Sequence, residues 1–193
     1  MAQYDWAELM REVNRSILAW PEIDQYEEPA VRAAGWLGYP GASESSLEAA
    51  EERLGAALPP SYREFLAFSN GWRTLTPFIY QLWPAADLEW YAVRRPELVE
   101  ADALFSAQLP PVSDAEYFAY GPGQDSAAFR LDVVHAGLEV SDMGDGILLL
   151  SPRVVTEDGE WEALFVAPWL PGARRYRSFW DLVQAEHRRP GTA

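Results

Sequence analysis

Two short groups of carboxylates in the third quarter of the chain are the residues best suited to act on another molecule. Carboxylate pairs serve as acid and base in glycosidases only where burial raises the pKa of one member. Exposed in loops, the same side chains attract and steer a basic partner. We therefore predict a protein-binding site at Glu139, Asp142 and Asp145 in one turn, and Glu157, Asp158 and Glu160 in a hairpin loop.

Other kinds of chemistry find little support in the residue types. The segment from Ser141 to Gly146 superficially resembles a calcium loop, but a glutamate at its twelfth position is missing. The chain has no cysteine, only two distant histidines and no G-x-S-x-G motif, and without lysine it cannot form a P-loop. We predict no catalytic, cofactor-binding or metal-binding residues, and an acidic hydrolase would require a buried carboxylate pair in a pocket.

The charge of the chain indicates which partners it can bind. The formal net charge of the 193 residues is −15, and residues 111–168 contain 11 acids against 2 arginines. Such a field disfavours nucleic acid and anionic membranes, because both are bound through clustered basic residues. No membrane span or signal peptide is evident, and the absence of cysteine suits a cytoplasmic location. The acidity either keeps the protein in solution or attracts a basic protein.

Tryptophans are candidates for the energetic centre of an interface. Trp72 and Trp90 follow or lie in predicted loops, where an aromatic side chain could anchor a partner. Trp6 and Trp20 instead lie on the apolar face of a predicted helix over residues 5–20. A place in the core is the alternative for each of them.

The elements that position these residues predict an α+β fold, in which helices flank a central, mostly antiparallel sheet. Capping signals and apolar periodicity predict helices over residues 5–20, 45–54 and 60–69, with a last one capped by Ser178. Apolar runs between residues 78 and 168 predict the strands, which are Phe78–Trp83, Glu116–Tyr120, Phe129–Val134, Ile147–Leu150 and Glu160–Pro168. The last two would form a hairpin, bringing the two acidic groups near one edge of the sheet.

The organisation of the chain is expected to have three parts. Residues 1–43 form an N-terminal helix and linker, residues 44–187 the main domain, and residues 188–193 a C-terminal tail. The first helix carries two tryptophans on one face, so leaving that face in water would be unfavourable. We expect it to dock on the domain or on a second copy in a homodimer.

The segment from Ser45 to Trp72 resembles the opening of the SUKH superfamily. The likeness rests on Glu51 and Leu54-Gly55, followed by Leu58-Pro59, the helix bearing Tyr62, Phe65 and Leu66, and then Asn70-Gly71. Less specific matches extend this resemblance over about residues 44–185. The resemblance implies an α+β fold and a non-catalytic immunity protein, which binds and neutralises a cognate toxin, often a nuclease. Fungal relatives are regulatory scaffolds, so an interaction scaffold without a toxin is the alternative.

Overall fold

Helices at both ends of the chain enclose the strands. A computed structural model describes residues 4–105 and 111–189. The helices in these ranges are α1 (Trp6–Leu18), α2 (Pro29–Ala34), α3 (Glu44–Leu54), α4 (Pro60–Phe68), α5 (Tyr91–Arg94), α6 (Pro96–Phe105), α7 (Asp114–Tyr117), α8 (Leu131–His135) and α9 (Phe179–His187). The strands are β1 (Glu89–Trp90), β2 (Leu138–Glu139), β3 (Ile147–Val155), β4 (Trp161–Val166) and β5 (Ala173–Tyr176).

The five strands form one sheet in the order β1-β2-β3-β4-β5, and every neighbouring pair is antiparallel. The β3–β4 hairpin is the longest pairing, and a register shift interrupts it between Ser151 and Val155. This architecture confirms the predicted α+β fold. Each strand places alternate side chains on opposite faces, and helices cover both faces of the sheet.

The first face of the sheet packs against the helices from both ends of the chain. Leu148, Leu150 and Phe165 share one apolar cluster with residues of α1, α3, α4 and α9. In α1, the ring of Trp6 lies 5.2 Å from that of Phe65 and 5.6 Å from that of Phe179. The prediction that the first helix docks on the domain is therefore confirmed. The proposed boundary at residue 44 stays a prediction, and residues 190–193 of the predicted tail lie outside the described residues.

The second face of the sheet packs against the short helices α5, α7 and α8. Its buried residues include Glu162, whose carboxylate accepts hydrogen bonds from the hydroxyls of Tyr117 and Tyr120. Burial raises the pKa of Glu162 above its ordinary value. The fully buried Arg175 donates to the carbonyls of Tyr117 and Asp125. Because both faces are covered, β3 begins with a continuous apolar run.

Several predicted strands were wrong. Residues 116–120 and 129–134 contribute to α7 and α8, because a capping box between Ser113 and Glu116 starts α7 and tertiary packing overrides the β-branched residues of α8. Residues 78–83 form no strand, because Phe78 lies in a turn and Ile79 and Leu82 make only isolated bridges. The sequence did not predict β5, which lies beyond residue 168. Two of its four residues are arginines, so it has no apolar run although it is mostly buried.

Gly55 ends α3 as predicted, whereas α4 ends at Phe68 with Ser69 as its C-cap, so the prediction that Asn70-Gly71 terminates it was wrong. Gly55 follows α3 with φ +68°, and Gly71 lies after α4 with φ +93°. A Cβ at Gly71 would lie 2.8 Å from the carbonyl oxygen of Leu82. Only glycine combines this left-handed backbone with so close an approach.

Candidate functional site

The two acidic turns lie at opposite ends of β3. Asp142 and Asp145 precede its first residue, and Glu157 and Asp158 follow its last one. At a rise of about 3.3 Å per residue, the strand separates the two turns by roughly 26 Å. The expectation that they meet near one edge of the sheet was wrong, because a single long strand connects them.

Glu139 is not a surface acid. It lies in β2, is fully buried, and accepts hydrogen bonds from Arg95 at 3.0 and 3.2 Å. Arg94 lies 3.4 Å from the same carboxylate. The two arginines compensate the burial of this charge, which holds α5 against the sheet. Its predicted place in an exposed turn was wrong.

Glu160 is also buried, beneath the N-terminus of α4. Its carboxylate accepts hydrogen bonds from the backbone N–H of Ser61 at 2.7 Å, the hydroxyl of Ser61 at 2.6 Å and that of Tyr4 at 2.8 Å. An acid at this position caps free N–H groups and complements the helix dipole. Glu160 therefore joins the hairpin to α4 and to the segment before α1, and its predicted exposure in the loop was wrong.

The two predicted aromatic anchors are both engaged within the fold. Trp72 is fully buried, with its ring 5.0 Å from that of Trp36. Trp90 is half-buried, donates from Nε1 to the carbonyl of Leu54 at 3.2 Å, and stacks 6.0 Å from Trp161. Trp72 is therefore inaccessible to a partner in this structure, and Trp90 has only part of its surface free.

The turn before β3 keeps its acids at the surface in a fixed arrangement. Asp142 is half-buried and accepts a hydrogen bond from the backbone N–H of Gln81 at 3.0 Å. Burial raises the pKa of Asp142, although the backbone hydrogen bonds partly oppose it. Asp145 is exposed and accepts a hydrogen bond from the hydroxyl of Tyr80. Burial and this hydrogen bond raise the pKa of Tyr80, so its hydroxyl stays a donor at neutral pH.

Three stacked rings lie beside this turn. The ring of Tyr26 lies 4.9 Å from that of Trp20 and 4.7 Å from that of Tyr80, and both pairs are nearly parallel. We call Trp20, Tyr26 and Tyr80 the aromatic ladder. Tyr26 is 41% exposed, so the ladder reaches the surface. The sequence did not reveal the ladder, because its rings come from three separate segments.

A second aromatic pair flanks the same turn. The rings of Phe78 and Trp169 lie 4.8 Å apart, and the backbone carbonyl of Phe78 accepts from Gly146 at 3.1 Å. Trp169 is 49% exposed and Met143, within the turn, is 51% exposed. We call the turn, the aromatic ladder and this pair the acidic–aromatic face. Exposed rings around fixed carboxylates are suited to bind protein rather than to catalyse a reaction.

Residues 4–105 and 111–189 provide no group of three or more histidine, cysteine, aspartate or glutamate side chains that could hold a metal ion. No helix in these ranges is long and apolar enough to cross a membrane. His135 Nε2 lies 3.0 Å from Asp102 Oδ2, and its ring stacks 6.5 Å from that of Tyr91. These contacts join α8 to α5 and α6.

Comparison with known proteins agrees with the motif over Ser45–Trp72. No curated protein matched the chain. A family model described as SMI1/KNR4 (SUKH-1) matches residues 41–162, a range that runs from just before α3 into β4. Because the match covers more than half of the sequence and confirms the resemblance noted from the residues, the chain belongs to the SMI1/KNR4 family (SUKH-1).

Proposed function

We propose that this protein is a non-catalytic immunity protein, which binds and neutralises a cognate, basic toxin of nuclease type through the acidic–aromatic face. The observation that carries the proposal is the grouping on one surface of Asp142 and Asp145 with exposed aromatic side chains. Membership of SUKH-1 is consistent with this role. The protein would act in the cytoplasm as a stoichiometric inhibitor.

The charge of the chain supports a basic partner. A nuclease needs a positive surface to hold the phosphates of its substrate. A protein of net charge −15 is attracted to that surface, and the attraction chiefly raises the association rate. An inhibitor covering the substrate groove would need no chemistry of its own.

The exposed aromatic side chains would supply most of the binding energy. Tryptophan and tyrosine are enriched among the few interface residues that dominate affinity, because they bury large areas with little loss of rotamer freedom. Trp169 and Tyr26 are each roughly half exposed, and each packs against a residue that contacts the acidic turn, Phe78 and Tyr80 respectively. They replace Trp72 and Trp90 as the proposed anchors.

The hairpin turn would contribute less. Glu157 and Asp158 are exposed at the other end of β3, away from these rings. An interface of ordinary size spans about 800 Å² per partner, so it could reach this turn only at its rim. Rim charges influence the association rate more than the affinity.

The test uses the toxin encoded by the gene beside that of this protein. Binding is measured for Asp145→Arg, Trp169→Ala and the matched control Asp158→Arg, at low salt and at about 0.15 M salt. Asp142 is left intact because its carboxylate holds the backbone of Gln81. We expect Asp145→Arg to slow association roughly tenfold at low salt, Trp169→Ala to accelerate dissociation, and Asp158→Arg to change either rate far less.

Two results would contradict the proposal. If affinity is indifferent to salt and to both charge reversals, the acidic–aromatic face is not the binding site. If the neighbouring gene encodes no protein that this chain binds and inhibits, the immunity role fails and a regulatory scaffold becomes the better explanation.

A further inference from the structure

A cavity of about 360 Å³ opens behind the aromatic ladder. Tyr26 and Tyr80 of the ladder line one part of it, and the remaining wall includes Glu27, Glu28, Tyr39 and Arg73. Because the two ladder tyrosines belong both to this cavity and to the acidic–aromatic face, a partner on that face would lie next to the cavity.

Only one of the two carboxylate oxygens of Glu27 accepts a hydrogen bond from the described residues. Its side chain is only 8% exposed, and Oε1 accepts from both the backbone N–H of Thr74 at 3.1 Å and its hydroxyl at 2.8 Å. No described residue donates a hydrogen bond to Oε2. Because Glu27 lines the cavity, a donor that enters it can reach this oxygen, and a charged donor makes the strongest hydrogen bond to a carboxylate.

Arg73 does not fulfil that role. Its guanidinium lies 4.1 Å above the ring of Tyr39, and Nη1 donates to the carbonyls of Leu37 at 3.2 Å and Gly38 at 3.3 Å. These contacts hold Arg73 on the backbone, and no ion pair joins it to Glu27 or Glu28. The wall therefore has two carboxylates for one cation, so an anionic ligand would meet net repulsion.

We propose that this cavity receives the cationic end of an arginine or lysine side chain from the partner, with Glu27 Oε2 as its acceptor. The identity of the partner as the toxin rests on the proposed function, whereas the preference of the cavity for a cation does not. A buried charge pair of this kind adds specificity to the contacts of the exposed rings.

The direct test needs no toxin. Amide chemical shifts of the isotope-labelled protein are followed while Nα-acetyl-arginine amide, Nα-acetyl-lysine amide or the neutral Nα-acetyl-citrulline amide is added. We expect saturable shifts around Tyr26, Arg73 and Thr74 with at least one cationic probe and none with citrulline. Glu27→Gln keeps the shape and the acceptor for Thr74, and should weaken binding roughly tenfold. Asp158→Asn, remote from the cavity, should change nothing.

Equal shifts with citrulline, or binding of inorganic phosphate at Arg73 instead, would overturn the proposal. The spectrum of Glu27→Gln reports whether that variant is folded, and Glu28→Gln, at an exposed residue, provides a second variant that should weaken cation binding. The affinity of each variant for the toxin encoded by the neighbouring gene separates the cation-site proposal from the proposed immunity function. If Glu27→Gln binds the toxin as tightly as the wild type, the partner does not use the cavity even though the immunity role stands. If the cationic probes bind but no toxin does, the preference for a cation stands and the proposed function fails.

Discussion

Replacing Glu160 by alanine should destabilise the protein far more than its place beside a surface loop suggests. The carboxylate accepts two hydrogen bonds from buried Ser61 and one from the partly exposed Tyr4. A hydrogen bond to a charged group contributes about 1.5–3 kcal/mol, so the two bonds from Ser61 alone amount to roughly 3–6 kcal/mol. Water can replace the carboxylate at Tyr4, so that bond should add less. We expect the free energy of unfolding to fall by about 4 kcal/mol.

Urea unfolding followed by circular dichroism measures this loss, with Asp158→Ala as the matched control. Asp158 is an exposed acid two residues earlier, and its replacement should change the free energy of unfolding by no more than about 0.5 kcal/mol. A double-mutant cycle with Ser61→Ala then isolates the hydrogen bond from the Ser61 hydroxyl to Glu160, and its coupling energy should be about 1–3 kcal/mol. If Glu160→Ala is as mild as Asp158→Ala, the carboxylate does not cap α4 and the reasoning from these contacts is refuted.

Three further predictions concern buried groups and backbone geometry. Because burial raises the pKa of Glu162, its contribution to stability is present below the ordinary value of 4.5 and is lost as pH rises through the folded-state pKa. The free energy of unfolding of Glu162→Gln minus that of the wild type should therefore increase as the pH rises from 4.5 through the folded-state pKa. A difference that stays constant with pH would contradict this. Trp72→Ala should cost about 3–5 kcal/mol in urea unfolding, whereas Trp169→Ala should cost less than about 1 kcal/mol, because only Trp72 is fully buried. Thermal unfolding should show that Gly55→Ala lowers the free energy of unfolding by about 1–2 kcal/mol, because alanine disfavours the left-handed backbone. Gly71→Ala should lower it further, because its Cβ would also meet the Leu82 carbonyl, and equal losses would refute this close approach.

Local signals in the sequence determined the elements whose interactions span only a few residues. Asp5 caps α1 by accepting from the N–H of Glu8, as the capping signal predicts, and Gly55 ends α3. The apolar run after residue 146 and the polar turn after residue 155 predicted the β3–β4 hairpin. The family motif between Ser45 and Trp72 also consists of local features, which is why it could be recognised without a structure.

Tertiary structure alone decided which acids are free to meet a partner. Glu160 contacts Ser61 across 99 positions of sequence, and Glu139 contacts Arg95 across 44. A carboxylate is equally polar in either setting, so composition and spacing do not distinguish a buried, hydrogen-bonded acid from a solvated one.

Spacing in the sequence does not reveal the aromatic ladder either. Its rings come from Trp20 just after α1, from the linker that follows and from the segment before the sheet. Helix caps and turns arise from contacts between near neighbours, and the sequence specifies these directly. The candidate binding surface arises where distant segments meet, and only the packing of α1 and the strands against one another brings those segments together.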